Sequence, residues 1–434
     1  MKAVVGGYVV DPGGVGEGAF DIFIESGTVE AIAPHGSIVP NKDDEIIDAR
    51  GRWVLPGLVD IHTHLREPGQ EWKETIDTGT AAAVLGGFTT VCCMPNTLPR
   101  TDSAEVVSYI RGKAAEAGRA RVYPIGAVSI GLAGVELAPL SELTAAGCVA
   151  FSDDGEPISD SGLMRRALEW ARMHDGIISC HEEDKQLSHG GAMNESPLSY
   201  RLGIPGMPRV AEDVMIARDI ELARLTGGRV HLCHLSTARG VELLRRAKSD
   251  GLRVTGEVTP HHLVFTEDKV GLYDTAYKMS PPLREAEDVA ALREGLADGT
   301  IDCIASDHAP HDPDSKRVEF VRATFGILGL QTTLPIILGL VRDGVLTRTR
   351  AVAAMTVEAA KCFSLERLVP GIGTLIKGAP ADIAVINPDR IWTLSSDRIA
   401  SKSKNTPFLD ADMQGMAELV MVAGKVVVRE GRLV

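Results

Sequence analysis

The sequence predicts an α/β protein, a (β/α)8 TIM barrel with a small β-sandwich domain formed from both termini. Short β-branched runs alternate with helical patterns through the middle of the chain, and eight such runs can be counted. Strand-rich segments with tight turns stand at the two ends. Strand–helix alternation implies parallel pairing with crossover helices. Eight repeats imply that the parallel sheet closes into a barrel.

The barrel strands and helices are predicted in turn from the middle of the chain. The strands lie near 57–62, 88–94, 122–127, 148–152, 176–181, 229–234, 253–258 and 301–306. Helical patterns between them cover 103–117, 161–173, 237–249 and 286–297. Two intervals are longer because they contain Pro/Gly-rich insertions at 183–209 and 259–284. Long loops in a compact domain are usually functional or disordered, so both insertions are candidate functional loops.

Both ends of the chain read as short strands joined by tight turns. Near the amino terminus, 20–24 and 28–32 flank Ser26-Gly27 as a hairpin. Near the carboxyl terminus, 382–386, 419–422 and 425–428 show the same pattern. Neither end alone has much apolar surface to bury, which disfavours two independent appendages. We therefore expect one composite β domain from 1–55 plus 371–434, and a barrel domain from 56–370.

Composition and charge exclude several classes of protein. The 434 residues include 45 Lys and Arg against 59 Asp and Glu, a net charge of −14, with 44% apolar residues. The apolar content is that of a globular protein, and the negative charge disfavours a nucleic-acid or anionic-membrane partner. The apolar window 325–341 contains Gln331 and Pro335 and is not expected to span a membrane. Seven cysteines without a C-x-x-C pair, and no plausible signal-cleavage site, predict a cytoplasmic protein with free thiols.

Polar side chains recur where the predicted barrel strands end. In barrels of this type, active sites lie at the carboxyl ends of the strands. The residues found there are His62, His64, Asn96, Asp153, Asp154, His181, His234 and Asp307. Polar residues placed without a common function would not all fall at the same ends of the strands. Their convergence there therefore predicts the active site.

The histidines and acids at these strand ends together predict metal ligation. His62 and His64 are two apart on a strand, so both imidazoles point to the same face. A lone H-x-H is weak evidence, and His181 or His234 taken singly is more often a packed or surface residue. Taken together, imidazoles and carboxylates with open positions suit Zn²⁺ or a similar divalent ion. His231, three residues before His234, is expected to face elsewhere and to be structural.

Four histidines and two acids are more ligands than one tetrahedral hydrolytic zinc needs. They fit two ions about 3.5–4 Å apart that share a bridging carboxylate and a bridging hydroxide. Asp307 is the natural general base and acid, because a carboxylate beside metal can take a proton and return it to a leaving nitrogen. A helix N-cap is the competing interpretation of Asp307, which the following His-Ala-Pro-His run disfavours.

Motifs along essentially the whole chain resemble the dihydroorotase signature of the cyclic amidohydrolase superfamily, in its long-chain bacterial class I form. The matching segments are Gly57 to Gly69, Lys73-Glu74-Thr75, Cys93 to Thr97, Phe151 to Gly155, Cys180 to Glu183, Val258 to His262, Ser306 to His311 and Gly378 to Asp382. Many separate motifs in the right order make this resemblance highly specific.

The resemblance implies a reaction, cofactors and residue roles. The reaction is the reversible cyclisation of N-carbamoyl-L-aspartate to dihydroorotate in pyrimidine synthesis, through a metal-bound hydroxide with Asp307 shuttling the proton. The implied metal ligands are His62, His64, Asp154, His181, His234 and Asp307, holding two Zn²⁺ per subunit bridged by Asp154. The implied substrate contacts are His64, Arg66, Asn96, His311, Phe325 and Gly326. A homodimer and association with aspartate transcarbamoylase are also implied.

Two other functions compete with this one. Hydantoinases and allantoinases share the fold but bridge their metals with a carboxylated lysine, and this chain has no lysine between Lys113 and Lys185. Asp153 or Asp154 must then supply the bridge, with motif position favouring Asp154. Arg66 also fits a substrate bearing a carboxylate. The third hypothesis is an inactive scaffold for aspartate transcarbamoylase, which would be expected to have lost metal ligands that are all present here.

Some features depart from the family pattern or leave alternatives open. Ser280 stands where the family usually has Asn, and Thr324 where a Pro usually precedes Phe325. Ser lacks the two donors of the amide, so that substrate contact is weakened. The segment 309–322 is either a lid or a solvated polar loop. Ligand type leaves Zn²⁺, Co²⁺ and Mn²⁺ open as the metal.

Overall fold

The amino-terminal strands build two sheets that share one strand. The computed structural model describes all residues from Met1 to Val434. The first six strands are β1 (Lys2–Val5), β2 (Tyr8–Asp11), β3 (Gly16–Glu25), β4 (Thr28–Pro34), β5 (Glu45–Asp48) and β6 (Trp53–Pro56). The first half of β3 pairs with β2, and its second half pairs with β1 and β4. The predicted hairpin at 20–32 is thus present as β3 and β4.

The middle of the chain forms the parallel barrel. Its strands are β7 (Leu58–Thr63), β8 (Phe88–Cys93), β9 (Arg121–Pro124), β10 (Ile177–Cys180), β11 (Met193–Asn194), β12 (Gly206–Met207), β13 (Arg229–Leu232), β14 (Val254–Val258) and β15 (Cys303–Ile304). The pair β11–β12 lies in the insertion that follows β10 and is not part of the barrel wall. The other seven strands pair in parallel as β7-β8-β9 and β10-β13-β14-β15.

The fourth position of the barrel is occupied by an extended segment around Phe151. The sequence predicts a strand at 148–152, and the structure has there isolated parallel bridges from Phe151 to Gly126 and to Ile178. A parallel bridge between Thr63 and His308 joins the last barrel position to the first. Eight positions therefore close into a barrel, and their carboxyl ends meet at one mouth.

Helices cover the outside of the barrel wall. They are α1 (Ile76–Leu85), α2 (Ala104–Ala117), α3 (Leu140–Ala146), α4 (Ser161–His174), α5 (Pro197–Leu202), α6 (Val210–Thr226), α7 (Ala238–Ser249), α8 (Pro260–Val264), α9 (Ala286–Asp298), α10 (Pro313–Lys316), α11 (Thr333–Arg342), α12 (Arg348–Ala354) and α13 (Val357–Cys362). Short 3-10 helices lie at Ile130–Leu132, Glu267–Leu272, Thr275–Tyr277 and Leu365–Arg367. The four predicted helices match α2, α4, α7 and α9 within one residue at each end. No helix has the length and apolar character needed to cross a membrane.

The carboxyl-terminal strands complete the sheets that the amino terminus begins. They are β16 (Ile383–Thr393), β17 (Asp412–Val422), β18 (Lys425–Arg429) and β19 (Arg432–Leu433). β16 pairs antiparallel with β6, from Ile383 opposite Pro56 to Ile386 opposite Trp53. The two sheets enclose a shared apolar cluster that includes Val9, Ile22, Ile47, Val54, Ile383, Leu419 and Met421. Both termini therefore contribute to one β-sandwich.

The β-sandwich and the barrel share part of their core. The largest apolar cluster contains Leu55 and Ile386 from the sandwich together with Leu58, Phe88 and Leu334 from the barrel. A second cluster inside the barrel includes Val59, Ile61 and Cys303 and fills the space beneath the mouth. All seven cysteines are free and buried. The floor of the barrel is therefore solid, and the open space for chemistry lies above it.

Replacing Leu55 with alanine tests whether the β-sandwich and the barrel share a core. Leu55 is fully buried in the shared cluster, so Leu55→Ala removes apolar contacts and leaves a cavity. We expect the free energy of unfolding to fall by about 3 kcal/mol, measured by denaturant or thermal unfolding. Leu272→Ala is the matched control, because Leu272 is 91% exposed and the same change should have an effect below about 0.5 kcal/mol. Equal stability of the two variants would contradict a shared core.

Candidate metal centre and active site

Asp154 lies at the centre of a buried cluster of four histidines. Its Oδ1 is 3.5 Å from His62 Nε2, 3.5 Å from His181 Nδ1 and 3.7 Å from His234 Nε2. Its Oδ2 is 3.6 Å from His64 Nε2. Burial would raise the pKa of Asp154, but the surrounding imidazoles hold that pKa well below its usual value. The carboxylate is therefore negatively charged and faces four nitrogen donors.

Asp307 completes the cluster on the side of His62 and His64. Its Oδ1 is 3.0 Å from His64 Nε2 and 3.6 Å from His62 Nε2. Burial opposes ionisation of Asp307 as well, but these neighbouring imidazoles lower its pKa below the usual range. The six predicted ligands, which come from five different strand ends, are thus brought together in one place.

The six side chains fit a divalent metal. They are all buried, and His62 Nε2 and Asp154 Oδ1 have no hydrogen-bond partner although neither atom reaches solvent. Buried polar atoms are rarely left unpaired. Two groups of donor atoms, His62 with His64 and Asp307, and His62 with Asp154 and His234, each lie close enough to hold one ion. Separations of 3.0 to 3.7 Å between donors match ligands placed about 2.0–2.2 Å from a shared ion.

In three of the four histidines, the ring nitrogen that does not face Asp154 (the outer nitrogen) is held by another polar side chain. His62 Nδ1 is 2.6 Å from Glu257 Oε1, and His64 Nδ1 is 3.0 Å from Asn96 Oδ1. His181 Nε2 is 3.0 Å from Glu183 Oε2. Such bonds fix the ring orientation and place the N–H on the outer nitrogen, which leaves the inner nitrogen free for metal.

Glu257 ties two strands of the barrel to this centre. Burial would raise the pKa of Glu257, but the charges and hydrogen bonds of His62 and His231 lower it to about 2. Its second oxygen, Oε2, is 3.1 Å from His231 Nε2. His231 therefore lies outside the six-residue cluster, as expected, but is connected to His62 through this carboxylate.

The adjacent Asp153 has a different environment from Asp154. Its Oδ1 accepts hydrogen bonds from the backbone N–H groups of Val128 and Ser129 at 2.8 and 3.0 Å. The Ser129 hydroxyl donates to its other oxygen. Asp153 thus closes the loop that follows β9, and it makes no contact with the four histidines. Of the two neighbouring acids left open by the sequence, the geometry favours Asp154 as the bridge.

Three residues of the site adopt left-handed backbone conformations. The φ angles are 62° at Arg66, 32° at His234 and 46° at Asp307. Non-glycine residues rarely adopt positive φ, and they keep it only where the surrounding structure imposes it. The positive φ values therefore mark three positions where the surrounding structure imposes the backbone conformation of the site.

Arg66 and His311 form a buried pair beside the metal cluster. Arg66 Nε donates to the carbonyl of Pro310 at 3.2 Å, and Arg66 Nη2 donates to His311 Nε2 at 3.2 Å. Burial lowers the pKa of Arg66 to about 10, so it remains a cation. Burial and the nearby cations of Arg66 and Lys73 lower the pKa of His311 to about 2, so it remains neutral. His311 Nδ1, buried and without a partner, is then an N–H donor.

The predicted substrate loop carries Phe325 and Gly326 next to this pair. A Cβ on Gly326 would lie 3.1 Å from His311 Cδ2, so the two residues are in close contact. The Phe325 ring lies 4.4 Å from Lys278 Nζ and contacts that cation. Lys316 is buried within the segment 309–322 and donates to the carbonyls of Thr324 and Gly326. This anchors one end of the segment, while its function as a lid stays a prediction.

Some site residues could not have been selected from their spacing alone. Glu257 could have been noticed in the sequence as a charged residue inside the buried strand β14, because a buried charge needs a partner. Glu183 lies within a recognised motif but has no spacing that assigns it to His181. Asn405, which donates to the carbonyl of Gly326 at 3.1 Å, lies beyond the barrel in the chain and left no signal.

Comparison with known protein families gives two matches. The Dihydro-orotase-like family model matches residues 51–240, and the Amidohydrolase family model matches residues 206–428. A dihydroorotase from Anaeromyxobacter dehalogenans (strain 2CP-C) is 51% identical over 431 residues, covering 99% of this chain and 98% of that protein. A dihydroorotase from Syntrophus aciditrophicus is 48% identical over 431 residues, covering 99% of this chain and all of that protein.

Solved structures of related enzymes share the fold over the whole chain. The L-hydantoinase (dihydropyrimidinase) from Arthrobacter aurescens superposes with a TM-score of 0.88 at 28% identity, covering 100% of this chain and 97% of that one. The dihydropyrimidinase from Brevibacillus agri superposes with a TM-score of 0.84 at 25% identity, covering 100% and 96%. These structures agree with the (β/α)8 barrel and β domain predicted from the sequence. With relatives near 50% identity over almost its full length, this chain belongs to the dihydroorotase family of metal-dependent amidohydrolases.

Proposed function

We propose that this chain catalyses the reversible cyclisation of N-carbamoyl-L-aspartate to (S)-dihydroorotate, a step of pyrimidine synthesis. The observation that carries this function is the pairing of two features at one barrel mouth. A buried six-donor cluster suited to hydrolytic metals lies close to the buried cation of Arg66. Both forms of the proposed substrate have an amide or carboxyl group to react and a separate carboxylate to bind.

The proposed cofactor is two Zn²⁺ ions per subunit, with Asp154 between them. In support, Asp154 presents one oxygen to His62, His181 and His234 and the other to His64. When bound, such ions polarise a carbonyl and make water nucleophilic near neutral pH. Imidazole and carboxylate ligands suit Zn²⁺, and they are also compatible with Co²⁺ and Mn²⁺.

Asp307 is proposed to move the proton. In ring opening, water adds to the ring carbonyl carbon, Asp307 accepts a proton from that water, and the carbon–nitrogen bond breaks. Asp307 then returns the proton to the leaving nitrogen. In ring closure, the carbamoyl nitrogen attacks the carbon of the protonated carboxyl group, its proton passes to Asp307 and from there to the departing hydroxyl, and water leaves. The buried position of Asp307, 3.0 Å from His64 Nε2, holds its carboxylate at the cluster where these atoms react.

Arg66, His311, Asn96 and the backbone of Phe325-Gly326 are proposed to bind the substrate carboxylate. Guanidinium and carboxylate groups pair through two parallel hydrogen bonds. The unpartnered Nδ1 of His311 can add a third donor. Asn96 already holds His64 through Oδ1, so a substrate contact would use its amide nitrogen, which is 3.5 Å from Asp154 Oδ2. Ser280 is too short to replace the amide that the family usually has there.

Hydantoin hydrolysis is the competing activity raised by the structural neighbours. The chain has no lysine between Lys113 and Lys185 that could be carboxylated, and Asp154 occupies the central position instead. The buried Arg66 also favours an anionic substrate over a neutral ring. An inactive scaffold is disfavoured because all six donor residues are present and lie together.

Assembly and organisation are further parts of the proposal. We place the domain boundaries at 1–55 plus 371–434 for the β-sandwich and 56–370 for the barrel, supported by the pairing of β6 with β16. The family resemblance supports a homodimer, association with aspartate transcarbamoylase, and a cytoplasmic location with the rest of the pathway. Light scattering of the chain with and without the transcarbamoylase tests both assemblies.

Replacing Asp307 tests the reaction and its proton carrier together. We expect the Zn²⁺-loaded protein to consume L-dihydroorotate, and Asp307→Asn to lower kcat by a factor of about 10²–10⁴ because the amide cannot accept the proton. Loss of dihydroorotate absorbance measures both. Asp314→Asn, an exposed change in the following loop, should leave kcat unaltered. A metal-loaded protein that leaves dihydroorotate intact but opens hydantoins would contradict the proposed substrate.

Replacing each of the two adjacent acids tests the metal bridge. Asp154→Asn removes the charge that faces four imidazoles, so we expect at least one of the two ions to be lost, measured as metal per subunit by mass spectrometry. Asp153→Asn is the matched control and should keep the full metal content, because Asp153 binds backbone N–H groups. The reverse pattern would assign the bridge to Asp153.

Replacing Arg66 tests the carboxylate contact. Arg66→Lys keeps the charge but loses the planar pair of donors, so we expect KM for dihydroorotate to rise about tenfold with a smaller change in kcat. Steady-state kinetics provide both constants, and Arg317→Lys in the exposed part of the neighbouring loop serves as control. An unchanged KM would show that another group binds the carboxylate.

A further inference from the structure

Part of the β-sandwich sequence leaves its sheet and reaches the mouth of the barrel. Between β16 and β17, residues 399–406 lie against the loops that follow β7 and β15, and we call them the bridging segment. Gln331 at the start of α11 fixes its near end, accepting from Ala400 N at 2.8 Å and donating to Arg398 O at 2.9 Å. The segment is therefore held to the barrel before it reaches the site.

The bridging segment binds the loop that carries Arg66. The Ser401 hydroxyl and the Lys402 N–H donate to the two oxygens of Glu74, the latter bond at 3.0 Å. The Ser403 hydroxyl donates to the carbonyl of Lys73 at 2.6 Å. Glu74 is fully buried and is also 3.3 Å from His308 Nε2. Through Glu74, these bonds join the end of the loop that follows β7 to His308, the residue after Asp307.

Asn405 binds the loop that follows β15 with every polar atom of its side chain. Its Oδ1 accepts from the backbone N–H of His311 at 2.9 Å. Its Nδ2 donates to the carbonyls of Ala309 and Gly326 at 2.9 and 3.1 Å. The Asn405 carbonyl accepts from Leu328 N at 3.0 Å. One residue thus fixes both sides of the loop that presents His311.

The backbone groups held by Asn405 set the position of the His311 ring. Gly326 has a φ of 130°, and a Cβ there would lie 2.7 Å from Ala309 Cβ and 3.1 Å from His311 Cδ2. Such close packing leaves no space for the two strands of this loop to shift independently. Arg66 Nη2 in turn donates to His311 Nε2. The arrangement of Arg66 and His311 therefore depends on bonds made by the bridging segment.

We propose that Asn405 is a positioning residue for the substrate carboxylate, acting through His311 and the Gly326 backbone. This rests on the proposed function, in which Arg66 and His311 bind that carboxylate. The β-sandwich part of the chain then contributes to the site, because the barrel supplies the metal ligands while Asn405 adds the bonds that hold both sides of the carboxylate pocket.

The chemistry of the Asn405 amide distinguishes this positioning role from a role in packing alone. The groups around it are one N–H donor and two carbonyl acceptors, which only an amide satisfies completely. An aspartate would keep the bond from His311 N but would place a negative charge against two carbonyls and close to the substrate carboxylate. Asn405→Asp should therefore be more harmful than Asn405→Ala, although it is closer to asparagine in size.

Steady-state kinetics and ligand binding test this role. We expect Asn405→Ala to raise KM for dihydroorotate by about tenfold, and Asn405→Asp by more, with kcat changed by less than about threefold. Zn²⁺ content should equal that of the wild type in both. Asn387→Ala is the matched control, since Asn387 makes its bond to Glu418 inside the sandwich, and its KM should be unchanged.

Each outcome of these measurements decides the proposal. An unchanged KM in folded Asn405→Ala overturns it, and so does a loss of kcat and thermal stability with KM unaltered, which marks a structural residue. If Asn405→Ala fails to fold, Asn405→Ser provides the same comparison. A wild-type protein without turnover would overturn the proposed function, and binding of orotate, a planar ring with the same carboxylate, would then test Asn405 separately. Equal orotate affinity in wild type and variant would overturn its role.

Discussion

The negative charge of Asp154 has to be balanced inside the protein, and the upper part of the barrel is arranged to balance it. An isolated buried carboxylate would be strongly unfavourable, and removing one partner of a buried charged group is costly. Asp154 is 4% exposed and has four imidazoles within 3.7 Å, which come from β7 and from the turns after β10 and β13. Separate strand ends are thereby drawn to one point. The same requirement makes the cluster a good host for divalent cations, which supply the positive charge more fully than imidazoles do.

A second layer of polar groups determines how those imidazoles are presented. Glu257, Glu183 and Asn96 each bind one nitrogen of a ring, so the other nitrogen of that ring is directed into the cluster. Glu257 also reaches His231 and connects two neighbouring barrel strands through a single carboxylate. Buried polar networks of this kind are stable only when each member is satisfied. Rigidity at the mouth therefore comes from the side chains around the metal-binding residues as well as from those residues themselves.

The parts that could be predicted from the sequence are those with a regular spacing. Strand periodicity placed His62 and His64 on one face, and strand ends brought His181, His234 and Asp307 to one mouth. Motif position favoured Asp154 over Asp153, but the physical reason, two backbone N–H groups of the loop after β9 that bind Asp153, is not visible in any local pattern. The fourth barrel position was predicted as a strand and forms only isolated bridges around Phe151. Asn405 could not be foreseen, because its partners are more than 75 residues away in the chain.

The pairing of β6 with β16 has a consequence for how the protein is made. During translation the first strands emerge early, but their sheet partner is synthesised only after the entire barrel. The histidines and acids of the metal cluster are all on the ribosome's exit side before Asn405 has been added to the chain. A nascent chain can therefore acquire its metal ligands well before it can order the carboxylate pocket. The proposed carboxylate pocket is therefore the last part of the site whose residues are synthesised.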